Sequence, residues 1–173
     1  MATLTMPALR TRRESSLPPQ VVGLLARYQK SAPVDVNGLA KSLGIAVYVD
    51  GNMPPEESGK ILKDREHGGA SGYSIIVNGN EPRVRQRFTV AHEIAHYLLH
   101  RDLIGDGLID DPLYRSGLST IEEVHANRLA AEILMPYALI EEALKRGART
   151  INALAGALFV SPQAISVRLG IPG

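Results

Sequence analysis

Apolar positions along the 173-residue chain alternate between helical stripes and short unbroken runs. From Pro18 and Pro19, the spacing of Val21, Val22, Leu24, Leu25 and Tyr28 predicts a helix that stops before Pro33. A short helix follows with Leu39, Ala40 and Leu43 on one side, and Gly44 is suited to its C-cap. Ile45–Val49 (IAVYV) reads as a buried strand, Gly51–Lys60 as a loop by its prolines and glycines, and Ile61-Leu62 as the start of a second strand. Tyr73–Val77 (YSIIV) is a third strand. Asn78, Gly79, Asn80 and Pro82 then mark the turn into a long helix, with Asn80 as N-cap and Pro82 early in the helix.

That helix spans residues 82–100, with Val84, Phe88, Ala91, Ala95, Leu98 and Leu99 at three- and four-residue spacing. Residues 101–118 contain Gly105, Gly107, Pro112 and Gly117 and read as a long loop. The next helix opens on a capping box that either Ser119 with Glu122 or Thr120 with Glu123 satisfies. A shorter helix ends at Gly147. The segment 151–170 reads as two helices joined at Val160-Ser161-Pro162, with Ser161 as N-cap and Gly170 as C-cap. Residues 1–16 have no usable periodicity and are expected to be a disordered arm. The pattern implies an α+β fold: about three strands in a small mixed or antiparallel sheet, packed by helices. Residues 17–173 are expected to form one domain, with 148–173 as a helix-turn-helix-like end.

Composition narrows the chemistry. A formal net charge of +1 with 21% charged residues gives no global argument for a nucleic-acid or membrane partner. The N-terminus lacks the apolar core of a signal peptide and no run approaches a membrane span, so the expected compartment is the cytoplasm. With no cysteine in the chain, disulfides and thiolate metal sites are excluded. A transition metal would need histidine and carboxylate ligands, as catalytic zinc sites use.

Within the long helix lies His92-Glu93-Ile94-Ala95-His96. Residues four apart differ by about 40° around a helix, so both imidazoles can meet one metal ion. Glu93 projects from a neighbouring angle, where it can serve as general base to a metal-activated water. A third protein ligand is required, and the following helix offers Glu122, Glu123 and His125. Glu123 and Asn127 share a face, so Glu123 can bind metal while Asn127 supports a ligand histidine through its other ring nitrogen. Alanines at 91, 95, 126 and 130 allow the two helices to approach closely. His100 is a competing ligand, but three histidines at successive four-residue steps drift about 80° around the helix. Its expected role lies instead at the helix end. His67 sits in a Gly-rich loop and is expected to be exposed.

The stretches RQRFTVAHEIAHYLLH and EEVHANRLAAEILMP together resemble the ImmA/IrrE family of metallopeptidases, with similarity from about residue 35 to 169. The resemblance implies a zincin-like HExxH helix, Zn2+ held by His92, His96 and Glu123, and Glu93 as general base. It also assigns the capping box to Ser119 and Glu122. Leu129 stands where the family often has phenylalanine. By the same resemblance, the substrate is expected to be a helix-turn-helix repressor or an antitoxin-like regulator, so that cleavage controls transcription. Tyr97, Tyr114, His125 and Arg128 are candidates for oxyanion stabilisation, and Tyr73–Val77 could pair with an extended substrate if it lies at a sheet edge.

Two other readings compete. One is a non-catalytic metal-binding regulator or toxin-like partner, against which the retained Glu93 argues. The other is direct DNA binding through 155–168, for which the second helix offers mainly Gln163, Ser166 and Arg168, with Phe159 where a turn glycine is usual.

Overall fold

The computed structural model describes residues 17–105 and 120–171. Helix α1 (Pro19–Tyr28) and helix α2 (Val36–Ser42) lead into strand β1 (Ile45–Asp50), followed by β2 (Gly59–Lys63) and β3 (Tyr73–Asn78). Helix α3 (Arg83–Leu99) and a 3-10 turn (Arg101–Leu103) come next, and then α4 (Thr120–Leu134), α5 (Tyr137–Lys145), α6 (Ile151–Leu158) and α7 (Pro162–Leu169). The fold is α+β, with a three-stranded mixed sheet packed by helices and a helical C-terminus.

The strand order is β1-β3-β2. β3 runs parallel to β1, from Ile45 opposite Tyr73 to Asp50 opposite Asn78, and antiparallel to β2, from Gly59 opposite Val77 to Lys63 opposite Tyr73. Two expectations change here. β3 is the fully paired interior strand, so it has no free edge to offer a peptide. IAVYV is an edge strand instead of a buried one, with Tyr48 45% and Val49 65% exposed. An unbroken apolar run cannot by itself distinguish a centre strand from an edge strand. β2 also begins two residues earlier than its apolar pair suggested.

The start of α3 also differs from expectation. Pro82 is the N-cap, without a side-chain capping bond, and Asn80 instead donates its side-chain amide to the Gly51 carbonyl at 2.7 Å. Asn78 Oδ1 accepts from the Asn80 backbone N–H at 3.0 Å, an Asx-type turn that does the local work. The buried Asn78 donates its side-chain amide to the Pro54 and Glu57 carbonyls at 3.0 and 2.8 Å. That pair pins the 51–58 loop against the end of the sheet and sets where Ser58 and Gly59 stand.

α3 packs against β2, β3, α2 and α4. The stripe read from the sequence is too narrow: Thr89, Val90, Ala91, Glu93, Ile94, Ala95, His96 and Tyr97 are all buried, whereas Val84, Phe88, Leu98 and Leu99 are only partly so. A helix clamped between a sheet and a second helix buries more than one face. Ala91, Ala95, Ala126 and Ala130 have no exposed surface, as a close approach of α3 to α4 requires.

The C-terminal helices join the same core. Leu154, Leu158 and Ile165 are fully buried and belong to the hydrophobic cluster that contains Ile75 and Ile94. Ser161 caps α7 by accepting from the Ala164 N–H at 3.1 Å, and Gly170 closes it in the left-handed region, both as the sequence implies. Phe159 also adopts the left-handed conformation (φ 53°), uncommon without glycine. Arg87 holds it there: its Nε donates to the Phe159 carbonyl at 3.1 Å, its Nη2 to the Val34 carbonyl at 2.9 Å, and its guanidinium lies 5.1 Å from the Phe159 ring centroid. Arg168 donates to the Met135 carbonyl at 3.1 Å and lies over the Tyr137 ring, so it serves the end of α4. No helix among the described residues is long and apolar enough to cross a membrane. Residues 1–16, most of the 101–118 loop, Ser119 and Tyr114 lie outside the described residues.

Candidate metal centre

The third and fourth turns of α3, which packs against β2 and β3, carry His92, Glu93 and His96, and the first turn of α4 brings Glu123 to meet them. His96 Nε2 lies 3.0 Å from His92 Nε2 and 3.2 Å from Glu123 Oε1, and His92 Nε2 lies 3.3 Å from Glu123 Oε2. Tetrahedral zinc with donors about 2.0–2.1 Å away separates neighbouring ligand atoms by roughly 3.3 Å. The observed spacings fit that requirement within a few tenths of an ångström. These three residues form the one group of histidine and acidic side chains, among the described residues, whose donor atoms converge closely enough to hold a metal ion.

Each histidine is held by its far nitrogen. Asn127 Oδ1 lies 3.0 Å from His92 Nδ1, the supporting position its spacing from Glu123 suggested. His96 Nδ1 is matched by His100 Nδ1 at 3.1 Å. His100 therefore sits on the side of His96 away from the converging Nε2 atoms and does not belong to the donor cluster. His125 is exposed, with its ring 6.5 Å from that of His100 and nearly parallel to it.

Glu93 stands beside this cluster and is 8% exposed. Its carboxyl is pushed up to about 8, chiefly by burial and then by the negative charge of Glu123, while a hydrogen bond from the Ile61 backbone amide works the other way. A divalent cation nearby would oppose that rise. Burial is also the main reason His92 titrates below the ordinary histidine range, although the Glu123 carboxylate and the Asn127 hydrogen bond favour its charged form. His96 is pushed down to about 3, by burial and then by its neighbours His92 and His100. Both imidazoles are thus neutral near pH 7, the form in which histidine binds metal.

A cleft of about 380 Å³ opens on the cluster, lined by Ser58, Gly59, Arg85, Phe88, Thr89, His92, Glu93, Glu123 and Asn127. None of the first five was read as a site residue from the sequence: Ser58 and Gly59 belong to a stretch read as a loop, which carries no sign of what it will face, and Arg85, Phe88 and Thr89 lie on the helix outside the HEIAH motif. Gly59 has the clearest reason for its identity. A Cβ there would come within 2.5 Å of Thr89 Cγ2 and 2.7 Å of the Ile76 carbonyl, so only glycine lets β2 approach α3 this closely.

β2 is an edge strand of the sheet. The Asn78 N–H bonds to the Ser58 carbonyl and the Asp64 N–H to the Gly72 carbonyl, so the even-numbered residues 58–64 turn their main-chain groups toward β3. The intervening amides point outward: Ile61 to Glu93, and Lys63 to the Gly105 carbonyl at 2.9 Å. Of the oxyanion candidates among the described residues, Tyr97 is buried edge-on against Tyr73 at 5.1 Å, His125 and Arg128 are exposed, and none of these three lines the cleft. His67 is exposed, as its loop suggested.

Residues 40–170 match the profile of the IrrE N-terminal-like domain, a peptidase family. The chain is 42% identical over 83 residues to the radiation response metalloprotease IrrE of Deinococcus radiodurans, covering 47% of this chain and 25% of that protein. It is 39% identical over 94 residues to the protein of the same name from Deinococcus deserti, covering 53% and 31% respectively. The chain thus spans about a quarter to a third of the length of these curated relatives. Among solved structures, a Mycobacterium tuberculosis transcriptional regulator superposes with a TM-score of 0.58 at 18% identity, over 90% of this chain and 48% of that one. At that identity the likeness concerns the fold.

Proposed function

The chain belongs to the IrrE N-terminal-like peptidase family, and from that premise we propose that it is a zinc-dependent endopeptidase that cleaves a regulatory protein. The observation that carries this reading is the convergence of three metal-donor side chains beside a cleft that two of them, His92 and Glu123, line together with the buried carboxyl of Glu93, which is not a donor. His92, His96 and Glu123 would hold the ion. When bound, zinc supplies Lewis acidity toward a water molecule and a peptide carbonyl.

The chain's own residues do the rest. Glu93 takes the proton of the attacking water and returns it to the leaving amine. Asn127 holds the His92 ring by its Nδ1–H. Phe88 and Thr89 form a partly water-excluding wall, and the outer edge of β2 at Gly59 offers main-chain pairing to an extended peptide. A cleft that reads main chain along one edge accepts an extended segment, so the scissile bond belongs in a linker or a locally unfolded stretch.

The resemblance to the ImmA/IrrE family supports a helix-turn-helix repressor or antitoxin-like regulator as substrate, and a cytoplasmic setting. Co-expression with candidate regulators of this kind tests the reading. A shorter product is expected with the intact protein, and none after zinc is removed by a chelator. A product that persists without metal would contradict it. The alternative, a non-catalytic regulator or toxin-like partner, predicts a stable complex and no cleavage. DNA binding through α6 and α7 finds little support, because Arg168 is committed to the end of α4.

A further inference from the structure

The two candidate histidine ligands are held in different ways. His92 has an amide oxygen at its far nitrogen, whereas His96 has a third imidazole. Two ring nitrogens 3.1 Å apart are bonded only if one carries a proton and the other does not. A histidine that binds metal through Nε2 carries its proton on Nδ1. The direction of the bond is then fixed: His96 Nδ1–H donates and His100 Nδ1 accepts, leaving the His100 proton on Nε2.

Local structure explains how His100 comes to be there. α3 ends at this residue (φ −132°, ψ 31°), while its backbone N–H still bonds the His96 carbonyl at 2.7 Å. The break in helical geometry turns the side chain back toward His96, with ring centroids 5.2 Å apart, instead of letting it drift around the helix. On its other side His100 meets α4, where the His125 ring lies nearly parallel at 6.5 Å and Glu122 exerts an attractive field on it. His96 is 3% exposed, and His100 is the side chain that meets its Nδ1.

We propose that His100 is a positioning residue for the metal centre: it accepts the Nδ1–H of His96, fixing the tautomer and ring orientation that aim His96 Nε2 at the ion. The proposal rests on the assignment of His92, His96 and Glu123 as the metal ligands. A role confined to ending α3 would not require a hydrogen-bond acceptor at this position.

The experiment is zinc affinity by competition with a chromophoric chelator, together with the visible spectrum of the cobalt-substituted protein. It compares the wild type, His100→Leu and His100→Asn. Asn Oδ1 occupies nearly the place of a histidine Nδ1 and can only accept there, whereas leucine fills the space with no acceptor. His100→Leu is expected to bind zinc about 10–100-fold more weakly and to shift the cobalt bands. His100→Asn is expected to recover affinity to within about threefold of wild type. Thermal melts of the metal-free variants separate any folding defect from the metal effect.

Wild-type affinity and an unshifted spectrum in His100→Leu would overturn the proposal. So would an Asn variant as weak as the Leu variant, because the acceptor would then not matter. A wild-type protein that takes up neither zinc nor cobalt would remove the metal-centre reading itself, and the positioning role with it.

Discussion

Two regions of this chain carry motif-like spacing, and the fold treats them oppositely. In the α3–α4 region, HEIAH and the Glu123–Asn127 pair meet, and four polar side chains turn toward one cleft. In the α6–α7 region, two short helices are joined by a turn at Phe159–Ser161, and the second is capped. There the only arginine of the second helix points back at the Met135 carbonyl and the Tyr137 ring, and Val167 is 74% exposed. Spacing alone therefore does not separate chemistry from packing. What separates them is whether side chains from different elements converge on a shared space.

The sharpest way to break this comparison is to change one atom type at Glu93. Glu93→Gln keeps the shape and the Ile61 contact but cannot take a proton. Cleavage is expected to fall about 10²–10⁴-fold while zinc content stays at the wild-type level. Equal cleavage by the two proteins would remove Glu93 from the mechanism. Asn127→Ala should weaken zinc binding about 10–100-fold by freeing the His92 ring, measured by the same chelator competition. By contrast, Gln163→Ala with Ser166→Ala, on the α7 surface, should leave both readings unchanged.

A second pair of substitutions asks whether both regions share one core. Ile94→Ala in α3 and Ile165→Ala in α7 each empty a fully buried site, and each is expected to cost about 2–5 kcal/mol in urea unfolding. A single transition should be seen for both. An Ile165→Ala protein that loses only a small early transition would mean that the C-terminal helices fold apart from the rest.

Acidity gives the subtlest test. His92 and His96 are held below the ordinary histidine range, so protons compete with metal only at unusually low pH. Zinc affinity should be nearly flat from about pH 8 to about pH 6, where an exposed histidine pair would already weaken. The metal-free protein should respond at both ends. The depressed His96 contributes stability that is present above 6.5 and lost as pH falls toward about 3. The raised Glu93 contributes stability that is present below 4.5 and lost as pH rises through about 8. Metal-free melting temperatures should therefore peak in mildly acidic buffer, and the peak should move to higher pH in Glu93→Gln.

Much of this was readable from the residues because the relevant geometry is local. A four-residue helical step brings His92 and His96 together in any helix, and the same step pairs Glu123 with Asn127. The alanines that permit the approach of α3 to α4 were equally visible. Long-range placement was not. Nothing in IAVYV or YSIIV says which strand lies between the others, so the sequence does not reveal that β3 is interior while β1 and β2 form the edges. Ser58 and Gly59 acquire meaning only when the Asn78 hydrogen bonds pin their loop at the end of the sheet, where both line the cleft with Arg85 of α3. His100 could be placed one turn beyond His96, but its return toward Nδ1 depends on where the helix breaks.

The central claim is that one metal ion sits between α3 and α4, held by His92, His96 and Glu123. Elemental analysis of protein purified without chelators, wild type beside Glu123→Ala, addresses it most directly. The account predicts about one zinc per chain in the wild type and little or none in a folded Glu123→Ala protein. A wild type without zinc, or a variant that retains it fully, would contradict the account.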